Sequence, residues 1–87
     1  MLYGYLKLDD ETQFCYSEVH DDQTVDVTVE QPCDMGFNSA QCSLPAYRWS
    51  NVRGFSADEI EQLDTFVRNN APMILRLARE KLVAVYA

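Results

Sequence analysis

The feature that most constrains this chain is the run TVDVTVE, residues 24–30. Val25, Val27 and Val29 alternate with Asp26, Thr28 and Glu30, the two-residue period of a strand with one dry face and one wet face. A helix would scatter those valines around its circumference, so the segment commits the chain to a sheet that something else must cover. Two earlier runs share the pattern. LYGYLKL (2–8) sets Leu2, Gly4, Leu6 and Leu8 against Tyr3, Tyr5 and Lys7, and QFCYSEV (13–19) sets Phe14 and Tyr16 against Cys15, Ser17 and Val19. The short polar turns DDET (9–12) and HDDQ (20–23) between them suit antiparallel hairpins and predict a meander. Beyond a loop at 31–37, punctuated by Pro32 and Gly36, NSAQCSL (38–44) alternates again on Ala40, Cys42 and Leu44 before Pro45 ends it.

The cover for that sheet comes from the C-terminal third. Ser56 and Glu59 form an S-x-x-E capping box, in which each side chain accepts the other residue's backbone N–H. Phe55 and Ile60 stand where a hydrophobic staple sets the entry angle, and Asp58, Glu59 and Glu61 complement the positive end of the helix dipole. Apolar positions 60, 67, 74, 78 and 85 then keep helical phase. Pro72 lies inside that stripe, so one kinked helix and two helices with a tight joint both remain open. The expected fold is α+β: an antiparallel sheet of three or four strands with the helical segment on one face. With 87 residues there is room for one core and a single domain. It divides into sheet 2–44, an irregular connection 45–55 carrying Tyr47, Trp49, Val52 and Phe55, and a helical segment 56–85.

Charge is divided unequally along the chain. Residues 1–47 hold nine acids against Lys7 alone, whereas residues 48–87 hold five acids and six bases. An acidic half opposes direct binding to nucleic acid or to an anionic membrane, since phosphate contacts need Lys and Arg. It favours a basic partner, including surfaces that otherwise hold nucleic acid. The alternative role for the same acids is to keep a small domain dissolved.

Little in the chain spells catalysis. Cys15, Cys33 and Cys42 are an odd number without a C-x-x-C pair, and MLYGYLKL is too short for a signal-peptide core. Reduced thiols in a cytoplasmic protein are the expectation. Cys15 and Cys42 occupy alternating strand positions, where cysteine acts as a small apolar residue, and Cys33 sits among carboxylates that would raise its pKa. His20, Asp21, Asp22, Cys33 and Asp34 lack the paired spacing of a zinc site, and DDE (9–11) lacks the length and glycine of a calcium loop. No phosphate-binding, dinucleotide, zinc-hydrolase or serine-elbow motif is present. The expectation is a non-enzyme that needs no cofactor and no metal.

A resemblance emerges at Glu30, Pro32, Gly36, Phe37, Leu44, Pro45, Tyr47, Trp49, Gly54, Phe55 and Ser56. Residues 29–80 resemble a group of short uncharacterised bacterial proteins. These share a strand ending E-x-P, then Gly-Phe, then Leu-Pro-x-Tyr-x-Trp, then Gly-Phe-Ser before an acidic helix. The resemblance implies a setting on phages or other mobile elements. It carries no activity and no site residues.

The reading that follows is an acidic inhibitor or modulator of a nucleic-acid-binding macromolecule, of the anti-CRISPR or DNA-mimic type. Its contact residues would be Asp9, Asp10, Glu11, Glu18, Asp21, Asp22, Asp26 and Glu30, with Tyr3 and Tyr5 as aromatic anchors if their face is open. If the helix covers that face, the two tyrosines join the core instead. The alternatives are a small regulatory or antitoxin-like subunit working as a homo-oligomer, through a strand edge or the tyrosine face, and a small globular domain with no function readable.

Overall fold

The computed structural model describes residues 2–86, with side chains described as far as Glu80. Five strands, β1 (Leu2–Lys7), β2 (Gln13–Ser17), β3 (Val25–Cys33), β4 (Gly36–Leu44) and β5 (Arg48–Arg53), precede one helix, α1 (Ala57–Tyr86). The strands lie in sequence order, each antiparallel to its neighbours. The helix packs on one face, and the opposite face has no second layer among the described residues.

The alternation in the sequence becomes the core directly. Phe14 and Tyr16 of β2, Val25, Val27 and Val29 of β3, and Cys42 and Leu44 of β4 turn toward the helix and are buried. Val67, Ala71, Ile74 and Ala78 meet them at spacings of four, three and four, one stripe of the helix. Phe14 stacks on Phe66 with ring centroids 4.4 Å apart, an offset aromatic pairing that adds to the area buried. The capping box forms as expected: Ser56 N–H donates to Glu59 Oε1 at 2.8 Å, and Glu59 N–H donates to Ser56 Oγ at 3.2 Å.

Two features differ from the sequence expectation, and a third settles a choice it left open. The sheet has five strands rather than three or four, because the supposedly irregular connection supplies β5. Its alternation is hidden by a bulge. Ser39 faces Arg53 and Gln41 faces Ser50, so Asn51 and Val52 together stand opposite Ala40, with Asn51 at φ 53°. The loop at 31–37 is shorter than expected, since β3 runs to Cys33 and β4 begins at Gly36. Gly36 takes φ 134°, while neither Asp34 nor Met35 is among the positive-φ residues, so the glycine absorbs the reversal. Of the two arrangements left open at Pro72, the structure has a single helix. Pro72 leaves the Arg68 carbonyl without its usual donor, but its neighbours Ala71 and Ile74 are buried on the sheet, and that packing carries the helix through.

Candidate functional site

In a meander, successive turns fall at opposite ends of the sheet. The β1–β2 turn with Asp9, Asp10 and Glu11 is therefore separated from the β2–β3 turn with Asp21 and Asp22 by the length of β2. Its five residues of extended chain make that roughly 17 Å. The acids expected to act together are thus two groups.

One group sits where the helix begins. Asp9, Asp10 and Glu11 share this end with Glu30, with Asp34 in the β3–β4 turn, and with Asp58, Glu59 and Glu61 near the start of the helix, eight carboxylates against Lys7 and Arg53. Asp10 is partly structural. Its Oδ1 accepts Thr12 N–H at 3.0 Å and its Oδ2 accepts Gln31 Nε2–H at 3.3 Å, and the hydrogen bonds from Thr12 hold its carboxyl below the ordinary range. Asp9, Glu11 and Asp34 make no side-chain hydrogen bond or ion pair among the described residues. A cleft of about 340 Å³ opens here between sheet and helix, floored by Phe14, Phe55, Leu63 and Phe66 and rimmed by Asp10 and Glu59.

The second group is more self-contained. Glu18, Asp21, Asp22 and Asp26 surround a shallow depression of about 670 Å³ with His20. Asp22 caps its own turn, accepting Thr24 Oγ1–H at 2.6 Å and Thr24 N–H at 3.1 Å, which lowers its carboxyl pKa. His20 Nε2 lies 3.0 Å from Asp26 Oδ2 and 3.3 Å from Ser17 Oγ.

Serine, histidine and aspartate thus meet at one point, but their wiring is not that of a nucleophilic triad. A triad uses both ring nitrogens, one taking the serine proton and the other held by the carboxylate. Here one nitrogen faces both partners, and beside a carboxylate it must carry the proton. The Ser17 hydroxyl already donates to the Glu18 carbonyl at 2.9 Å and accepts Asp26 N–H at 2.9 Å. The group therefore closes the end of the hairpin and leaves the hydroxyl without a base.

The tyrosines of β1 take the core role. A bulge between Gly4 and Leu6 leaves Tyr5 without a partner on β2, and both Tyr3 and Tyr5 lie half-buried against the core on the helix side. Tyr5 Oη–H donates to Asn70 Oδ1 at 2.7 Å, and the Tyr3 and Tyr16 ring centroids are 5.5 Å apart. All three cysteines are free thiols. Burial, reinforced by Asp64, pushes Cys42 up to about 11, and burial with Glu30 nearby raises Cys15, the reverse of what activates a thiol. No three His, Cys, Asp or Glu side chains converge as metal ligands among the described residues.

One surface escaped the sequence reading. Pairing of β2 with β3 stops at Gln13↔Glu30, and pairing of β5 with β4 stops at Ser39↔Arg53. The β3–β4 ladder continues through Gln31↔Asn38, Pro32↔Phe37 and Cys33↔Gly36 with no flanking strand. Three residue pairs thus project about 10 Å beyond the sheet. The tip carries Met35, 96% exposed, and Phe37, 64% exposed. The Gly-Phe after E-x-P marked the place, but without the pairing of the neighbouring strands it read as an ordinary loop.

No family model, curated protein or solved structure matches the chain. No helix among the described residues is long and apolar enough to cross a membrane.

Proposed function

We propose that this is a non-enzymatic binding protein that covers a basic surface on a nucleic-acid-binding macromolecule and so modulates it. The observation that carries this reading is the placement of the arginines. Arg68 holds Asp64 at 2.6 Å and Arg76 holds Glu80 at 3.2 Å, both i,i+4 pairs within the helix. These two arginines thus pair with acids of their own helix, and the carboxylates of the β1–β2 and β3–β4 turns keep their field for a partner.

Charge density narrows the mode of action. Duplex DNA as long as this molecule, 43 Å, would carry roughly 25 phosphate charges, well above the 14 acids of the whole chain. The anions therefore suit one local basic patch better than imitation of a duplex along its length. The end bearing Asp9, Asp10, Glu11, Glu30 and Asp34 is the stronger candidate, because at the other end Asp22 is engaged with Thr24 and Asp26 with His20.

The test is an affinity capture from lysate of the source cells across a salt series, followed by a nucleic-acid-binding assay on the captured protein. Capture that weakens steeply with salt, is lost on D9N/E11Q/D34N, and competes with nucleic acid is the expected result. Capture indifferent to salt and to that triple variant would end the proposal. A homo-oligomeric regulatory subunit is the second reading, favoured by the uncovered edge of β1 with Leu2 and Leu6 exposed. Light scattering that shows a stable dimer, abolished by L2S/L6S, would support it.

A further inference from the structure

We infer that the projecting β3–β4 hairpin is the docking element of the acidic end, inserting Met35 and Phe37 into an apolar socket that a partner protein rims with Lys and Arg. The inference rests on the basic-partner reading above and adds where, and with what, contact is made.

Exposure is the first ground. Small monomeric domains seldom leave a methionine 96% and a phenylalanine 64% exposed side by side on one tip, where Pro32 directly faces Phe37. Aromatic residues and methionine are the types that interface cores enrich. The second ground is that the tip is held in place. Gln31 donates to both Asp10 Oδ2 and Thr12 Oγ1, at 3.3 and 3.2 Å, and accepts Asn38 Nδ2–H at 3.3 Å. A side-chain ladder thus ties the root of the hairpin to the β1–β2 turn. Gly54, at φ 83°, lies against the Asn38 side chain so closely that a Cβ there would collide with it. An element ordered before binding loses little entropy on docking.

Charge decides the occupant. Asp34 lies in the hairpin turn itself, and Glu30 and the β1–β2 turn with Asp9 and Glu11 stand at its root, so a second copy docking on the same hairpin would set like charges against like. A socket rimmed by Lys and Arg meets the same carboxylates with attraction, and desolvating the apolar centre strengthens those rim contacts.

The experiment uses the full chain and two synthetic lysine-bearing helical peptides of about 18 residues, long enough to hold a helix. One has leucines along one face; the other has glutamines in their place. Binding is read by fluorescence anisotropy at about 50 and about 500 mM salt, which spans strong and weak screening. The leucine peptide should bind about tenfold more tightly than the glutamine peptide, a gap of about 1.4 kcal/mol. M35S/F37S should close that gap while leaving affinity for the glutamine peptide and the thermal midpoint unchanged, and M35A alone should narrow it. Amide shifts on binding should centre on residues 32–37.

A gap that survives M35S/F37S, or salt-sensitive binding of both peptides with no gap, overturns the docking role and leaves the basic-partner reading standing. Absence of salt-sensitive binding to either peptide overturns both. Concentration-dependent self-association lost in M35S/F37S makes a second copy the occupant and likewise overturns the inference.

Discussion

The indole Nε1–H of Trp49 donates to Asp64 Oδ1 at 2.9 Å, joining the edge strand β5 to the second turn of the helix. The other oxygen of Asp64 takes the Arg68 guanidinium, and that guanidinium lies 4.1 Å from the centroid of the Tyr47 ring. One carboxylate thus closes the side of the molecule that the chain reaches last in the sheet.

That arrangement predicts a graded response. Asp64→Ala strands the indole N–H of a half-buried tryptophan and should cost about 1 kcal/mol, a fall in Tm of about 4–8 °C for a domain of this size. Asp64→Asn keeps an acceptor for Trp49 and should cost less. The Trp49 hydrogen bond, followed by Arg68, depresses the Asp64 pKa from its ordinary 3.8. A depressed folded-state pKa adds stability that is complete above the unfolded value and is lost as pH falls through the folded one. Urea titrations below pH 4 should therefore show a steeper acid decline in the parent than in Asp64→Asn; equal slopes would remove Asp64 from the acid transition.

The alkaline side has its own marker. Burial raises Cys42 from 9.0 to about 11, so above pH 9 the unfolded state releases a proton that the folded state keeps. The Cys42 contribution is intact below pH 9 and is lost as pH climbs toward 11. Cys42→Ala should flatten that part of the stability profile. Reaction with a disulfide reagent should run Cys33 first, Cys15 next and Cys42 only on unfolding, following their exposed, intermediate and buried positions; fast labelling of Cys42 in the native protein would contradict the packing.

Most of the core was legible because period-two burial and the capping box are local signals: Val25, Val27, Val29, Ser56 and Glu59 all stand as their spacing implied. What stayed hidden depends on relations between strands. A bulge at Asn51 and Val52 disguised β5, while the alternation of β1 left open whether its tyrosines met a partner or the helix, and they meet the helix. The division of the acids followed from topology that the meander already contained, since adjacent turns cannot share an end. The projection of Met35 and Phe37 could not be read at all without knowing where β2 and β5 stop pairing. Pro72 was ambiguous for a different reason, because tertiary burial of Ala71 and Ile74 outweighs a local penalty.

Pro72 offers a direct check on that balance. A proline in a helix interior costs up to about 3 kcal/mol relative to alanine, through the missing donor and the clash with the preceding turn. Its side chain is exposed, so no core contact is lost on replacement. Part of the gain is offset because proline also restricts the unfolded chain. Pro72→Ala should still raise the urea midpoint, with a net gain of about 1–2 kcal/mol. A loss would mean that the sheet requires the helix geometry proline imposes.

The acids themselves can be sorted by what removing their charge does to the fold. Asp10 and Asp22 cap turns, so Asp10→Ala and Asp22→Ala should destabilise, while Asp10→Asn and Asp22→Asn, which keep the acceptor, should do so less. Asp9, Glu11 and Asp34 stand within a like-charged group and hold no such bond among the described residues. Neutralising them as D9N/E11Q/D34N relieves repulsion and should stabilise the fold at low salt, with the gain fading as salt screens the field. The same triple variant is the one expected to lose a basic partner. Opposite signs for stability and binding would show that these carboxylates serve contact at a cost to the fold, whereas a loss of stability on neutralisation would place them among the structural acids.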